Sequence, residues 1–283
     1  MTAVIAGLTV AVIWTIGTLL SARASREVGA PSALGAVMLV GLVACVPLLL
    51  ISPAGPSDAG PYLPWLLVAG GGNLVGLLLN YTALTRGNVS IVAPITATEG
   101  AIAATIAILA GEPVTAALIL ALTVVVVGVI LTAWGPEGDP ASGRPGGPLF
   151  LAMAVGSAML FGASLYAVGH ASQSVPGAWV VVAGRILGTL FVALPLLLTG
   201  RFRMTRAVLP LVIVCGLIEV VGFLTITWGA KDSIAITAVL SSQFAVIVPL
   251  VSMVVFKERM LRHQLLGALL TGLGVAGVTL AQL

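Results

Sequence analysis

Three ionisable residues stand deep inside apolar sequence: Glu99, Arg185 and Glu219. In lipid, a charge at the bilayer centre costs about 2.5–3.5 kcal/mol on insertion scales, so each needs a partner or a polar cavity. Arg185 is able to neutralise either acid, and a pair of that kind would lock helices together. An acid left without it is a site for a substrate or for proton exchange. The sequence leaves the pairing open.

Other polar and aromatic residues gather in the same segments. Asn73, Asn80 and Tyr81 fall in one, and positions seven apart such as 73 and 80 share a helix face. Thr96 and Glu99 form a second stripe, and Ser242 and Gln243 a third. Trp14, Phe161 and Tyr166 supply rings for stacking or apolar contact. A lone Ser or Thr commonly bonds its own helix, so what matters is that these groups share a few segments. The sequence has no metal-ligand spacing, phosphate-cradling glycine loop or Ser/His/Asp set; no cofactor and no enzymatic activity is expected. His170 and His263 are isolated, and Cys45 and Cys215 sit within apolar runs as small core residues.

The elements that must carry these residues are set by composition. The 283-residue chain is 59% hydrophobic and 7% charged, against roughly 25% charged in a soluble domain. Such a surface needs lipid around it. A net charge of +3, scattered along the chain, excludes nucleic acid as a partner. About 20 mostly apolar residues cross the hydrocarbon core as a helix. Ten stretches qualify: about 2–20, 32–51, 64–84, 89–110, 115–134, 148–169, 178–199, 207–229, 233–256 and 263–282. The first has no basic start and reads as a retained helix rather than a signal peptide.

Sliding the chain by 146 positions places Glu112 on Glu258, Thr96 on Ser242, Gly128 on Gly274 and Asn73 on Glu219. This predicts two five-helix repeats, 1–134 and 148–283, joined by a Gly/Pro-rich linker at 135–147. Five is odd, so the repeats must insert in opposite orientations, as in many transporters. Ten of the 12 Lys and Arg residues lie in odd-numbered connections, Lys231 alone lies in an even one, and Arg185 lies inside a span. One face therefore collects the positive charge and is expected to be cytoplasmic, with both termini outside. The predicted fold class is an all-α integral membrane protein, ten transmembrane helices as two inverted repeats around a central cavity.

This pattern resembles the drug/metabolite transporter superfamily, specifically the bacterial EamA-type ten-span exporters, over nearly the whole chain. The residues that carry the resemblance are Trp14 and Phe161-Gly162 early in each first span, Arg185, Pro94, and Gly111-Glu112 matched by Lys257-Glu258. Within that group the likeness runs to exporters of aromatic amino acids. Leu240 departs from a proline of the family pattern, and Val37-Met38 occupy the region of a second arginine. Family members are drawn with cytoplasmic termini, opposite to the charge bias.

The resemblance implies a multi-pass protein of the bacterial inner membrane, exporting aromatic and other neutral amino acids and related metabolites by alternating access. Its partners would be a small-molecule substrate, protons if transport is coupled, and the bilayer, in a monomer or weak dimer. On this reading Asn73, Asn80, Thr96, Ser242 and Gln243 make polar contacts with substrate. Trp14, Tyr81, Phe161 and Tyr166 give apolar or stacking surface, and Glu99 or Glu219 couples protons. Rival readings are export or facilitated diffusion of another metabolite or drug class, a channel, and an intramembrane lipid enzyme. The last lacks a visible nucleophile–base pair. A purely structural membrane protein is the plainest alternative.

Overall fold

A computed structural model describes residues 1–52, 55–110, 115–134, 148–232, 234–257 and 260–282. The expected linker at 135–147 and the paired residues Glu112 and Glu258 lie outside them. The described residues are helical throughout: α1 (Thr2–Val28), α2 (Ala30–Leu50), α3 (Pro56–Ala59), α4 (Leu63–Arg86), α5 (Val89–Thr96), α6 (Glu99–Leu109) and α7 (Ala116–Ala133). The chain continues with α8 (Pro148–Ser172), α9 (Gly177–Gly188), α10 (Leu194–Leu198), α11 (Leu209–Ala230), α12 (Ile234–Ser241), α13 (Phe244–Val255) and α14 (Arg262–Gln282). A 3-10 turn precedes α4, and a π-helical turn, Thr189–Ala193, joins α9 to α10. Among the described residues, six helical segments are long and apolar enough to cross a membrane: Thr2–Val28, Ala30–Leu50, Gly60–Arg86, Pro148–Ser172, Gly177–Leu198 and Leu209–Ala230. Shorter apolar helices fill the rest.

Helix is the natural outcome of this sequence in lipid, because it satisfies every interior backbone group without water. Prolines open α2, α4 and α11 within their first turn, where the missing N–H has no acceptor to lose. Gly29, at φ 87°, turns the chain from α1 into α2. The surface is inverted relative to a soluble protein. On α11 the exposed residues Leu209, Ile213, Leu217 and Val221 step by four along one face, while Val212, Cys215, Gly216 and Glu219 are buried opposite.

Two apolar segments are broken in the middle. After α5 the chain passes through Ala97 and Thr98, with Thr98 N–H donating to Ile95 O at 3.2 Å, before α6 resumes at Glu99. Pro94 removes one ladder donor just upstream. Between α12 and α13 the break falls at Ser242 and Gln243, with Gln243 N–H donating to Leu240 O at 3.2 Å. No proline lies upstream of it. There, Ser241 and Ser242 hydroxyls both donate to Ala238 O, at 2.7 and 3.0 Å, and compete with the helix for that carbonyl.

The packing of the segments has a matched pattern. Helix α1 lies along α11 as α4 lies along α8, and α2 contacts α11 as α4 contacts α9. Helix α2 packs on α9, α5 on α13, and α7 on α14. The last pair is very close: a Cβ added to Gly128 would stand 2.5 Å from Thr271 N, and one added to Gly267 would stand 2.5 Å from Thr132 N. Only glycine allows backbones to approach this far. The matching fails in one respect. Of the opposite broken segment, α1 packs more on α12 than on α13, whereas α8 packs more on α6 than on α5, and α6 and α12 also touch. These four helices close one end of the molecule.

Candidate functional site

A cavity opens at the centre, where the two broken segments face α1, α4, α8 and α11. Its lining comes from helical faces with regular spacing. Helix α1 presents Trp14, Gly17, Thr18 and Ser21; α4 presents Asn73, Leu77, Asn80 and Tyr81; α8 presents Phe161, Ser164 and Leu165. Thr96 ends α5, Glu99 begins α6, Glu219 and Phe223 come from α11, and Phe244 begins α13. The cavity volume is about 60 Å³. That holds a few waters and is well below the roughly 300–1,000 Å³ of sites enclosing drug-sized ligands. In this conformation the site is constricted.

Eight of the eleven residues expected from sequence line this cavity: Trp14, Asn73, Asn80, Tyr81, Thr96, Glu99, Phe161 and Glu219. Three lie elsewhere. Tyr166 packs at the closed end, its ring 6.0 Å from that of Trp65, which in turn lies 4.3 Å from His170. Ser242 is spent on its own helix and packs beside Gly100. Gln243 Nε2 donates to Gly272 O on α14 at 3.3 Å. Phe223, Phe244 and Ser21 belong to the lining but escaped the sequence reading. Phe223 had a signal, one helical turn after Glu219. Phe244 had none, being one apolar residue among many.

The buried charges are distributed unequally. Arg185 on α9, 1% exposed, donates from Nη2 to Glu219 Oε2 at 3.3 Å and reaches Met38 Sδ with Nη1 at 3.5 Å. Its guanidinium carbon lies 5.6 Å from the centroid of the Phe223 ring. Gly41 makes room for it, since a Cβ there would stand 2.9 Å from Arg185 Cδ. The pairing that sequence left open is therefore with Glu219. Glu99 is 4% exposed, and its Oε1 has no hydrogen-bond partner among the described residues. Asn80 Oδ1, also in the lining, is likewise unpartnered. Several other polar groups are already engaged. Thr96 Oγ1 donates to Val92 O and Ala93 O, Ser164 Oγ donates to Ala69 O at 2.6 Å, and Tyr81 Oη contacts Cys215 Sγ at 3.6 Å.

The two ends of the cavity differ. Beyond Ser21, α1 runs past a recess of about 560 Å³ lined by Leu19, Leu20, Arg23, Arg26, Glu27, Leu211, Val255 and Phe256. At the other end, Gln173 Nε2 donates to Ala230 O at 3.1 Å, and Asp232 Oδ2 accepts from Ala3 N–H at 3.1 Å. Those bonds add to the Trp65, Tyr166 and His170 rings.

Comparison with known families gives the chain its class. The model of the EamA-like transporter family matches residues 1–134 and 149–280. The chain belongs to the EamA-like transporter family. It is thus a multi-pass membrane protein of a transporter family, not of an enzyme family, and a small-molecule substrate and the bilayer are its partners. A crystal structure of a protein with 20% sequence identity superposes with a TM-score of 0.68, covering 99% of this chain and 98% of that one. At that identity the likeness speaks for the fold alone. No curated protein matches the chain.

Proposed function

We propose that this family member is a secondary transporter exporting aromatic and other neutral amino acids, with related metabolites, by alternating access. On this reading ten crossings form two inverted five-helix repeats, 1–134 and 148–283, and the central cavity is the substrate site. The observation that carries the proposal is the cavity itself: polar and aromatic groups from α1, α4, α5, α6, α8, α11 and α13 converge inside a coat of exposed apolar side chains. The matched helix packing and the two segments covered by the family model support the repeat. The mismatch between α1 on α12 and α8 on α6 supports a state closed at the end bearing Asp232. Exchanging those two contacts would close the other end.

The basic residues Arg23, Arg26, Arg86, Arg201, Arg203 and Arg206 mark the recessed end as cytoplasmic under the positive-inside rule. Trp14, Asn73, Asn80, Tyr81, Thr96 and Phe161 would contact substrate, while Tyr166, Ser242 and Gln243 would act through packing. Of the two acids, Glu99 is the one free to couple protons, since Glu219 is held by Arg185.

Uptake of labelled phenylalanine into liposomes containing the purified protein tests this. Saturable uptake, inhibited by neutral amino acids but not by glutamate, is the expected result. Absence of uptake above protein-free liposomes, in pH gradients of either sign, would rule out phenylalanine and leave another metabolite class as the cargo. Proton coupling at Glu99 is excluded if Glu99→Gln keeps the parent's pH dependence.

A further inference from the structure

The cavity is one-sided in charge. Among the described residues its lining includes two carboxylates, Glu99 and Glu219, and no Lys, Arg or His. Arg185 lines a smaller adjoining void that shares Asn73 and Phe223 with the cavity, and its charge is taken by the bond to Glu219. Two fully buried atoms of lining residues lack a partner among the described residues, Glu99 Oε1 and Asn80 Oδ1, and both are acceptors. Both side chains are more than nine-tenths buried. A buried acceptor without a donor is costly, and a buried carboxylate more so. Around them stand the rings of Trp14, Tyr81, Phe161, Phe223 and Phe244, whose faces attract cations.

We infer that the charge this site recognises is an ammonium group, so that the favoured cargo is an amine with an apolar or aromatic body. The inference rests on the reading of the cavity as the substrate site. An ammonium supplies several donors for Glu99 and Asn80, and it neutralises the one acid that lacks a counter-ion. A substrate carboxylate finds no cation among the described lining residues and meets Glu99 as a like charge, Glu219 being already paired with Arg185. The site therefore selects the amine end of an amino acid and tolerates, rather than seeks, the acid end.

Equilibrium binding to the purified protein in detergent tests this with three probes of one shape: 2-phenylethylamine, phenylalanine and 3-phenylpropanoate. The amine is expected to bind about tenfold more tightly than phenylalanine, with the anion weakest. Glu99→Gln is expected to erase the amine's advantage. The ranking on the parent protein stands even if that variant does not fold. An amine that binds no better than phenylalanine, does not bind at all, or is indifferent to a folded Glu99→Gln overturns the inference. Liposome uptake separates this from the transporter reading. Saturable phenylalanine uptake without amine preference sinks only the inference; amine binding without saturable uptake of any probe sinks only the transporter reading.

Discussion

Glu99 and Glu219 are two buried carboxylates on one cavity wall, held in opposite ways. Glu219 sits in the body of α11, paired with Arg185, whose guanidinium lies over the Phe223 ring. Glu99 sits at the first residue of α6, just past a helix break, with an oxygen that none of the described residues engages. The second break carries no acid: the position 146 residues after Glu99 is Ala245, fully buried, and neighbouring Gln243 is tied to α14. A buried charge with its partner fastens helices, whereas one without a partner is available to something that arrives. The same framework thus uses one acid as structure and the other as a site.

Arg185→Leu would break that comparison most severely. It leaves Glu219 buried without a counter-charge and is expected to cost about 3–5 kcal/mol, read as a lower unfolding midpoint in detergent. Adding Glu219→Leu should restore most of the loss, because removing both charges leaves no orphan. A single variant as stable as the parent would show that the pair fastens nothing.

Glu99→Gln should do the reverse. Stability is expected to change by less than about 1 kcal/mol, since no pair is broken, while initial uptake falls by about tenfold or more. Equal reconstituted amounts make the two readings comparable. A variant that loses stability and keeps transport would exchange the roles assigned to the two acids.

Gln243→Ala sharpens the contrast between the breaks. Loss of its bond to Gly272 O is expected to cost about 0.5–1.5 kcal/mol, with uptake by the folded protein close to the parent's. A large loss of uptake at unchanged stability would bring the second break into the substrate path.

The smallest effect concerns the closed end. The Ala3 N–H bond, then the hydrogen bond and charge of the nearby α-amino group, hold the Asp232 carboxyl below its ordinary value, which is about 3.9. A depressed carboxylate stabilises above its unfolded value, and that contribution fades as pH falls through the lower folded one. Hydrogen-exchange protection at Ala3 should therefore be steady above about pH 4 and decline below it. Asp232→Asn should flatten the profile.

Much of this was legible in the chain. Helix positions follow from apolar length and proline and glycine punctuation, and the face spacing of Asn73 and Asn80 put both in the cavity. The EamA-like resemblance read from Trp14, Phe161-Gly162, Pro94 and Arg185 agrees with the family match. Three features were not legible. The Arg185–Glu219 pairing depends on how helices rotate against each other, which spacing along one helix does not encode. The involvement of Phe244 and the withdrawal of Ser242 and Gln243 depend on where the second break falls. That break is made by hydroxyls competing for a carbonyl rather than by a proline. Tyr166 was assigned to the cavity by its chemistry alone, and its packing against Trp65 draws it to the closed end.

The contact of α7 with α14 has a practical use. With the Gly128 and Gly267 backbones seated against Thr271 and Thr132, a slide or roll of one helix on the other would have to part closely meshed backbones. A pair of spin labels placed across it would report one distance whatever the cargo or gradient. It offers a fixed ruler inside the molecule, against which displacement of α1 from α12, or of α8 from α6, can be measured.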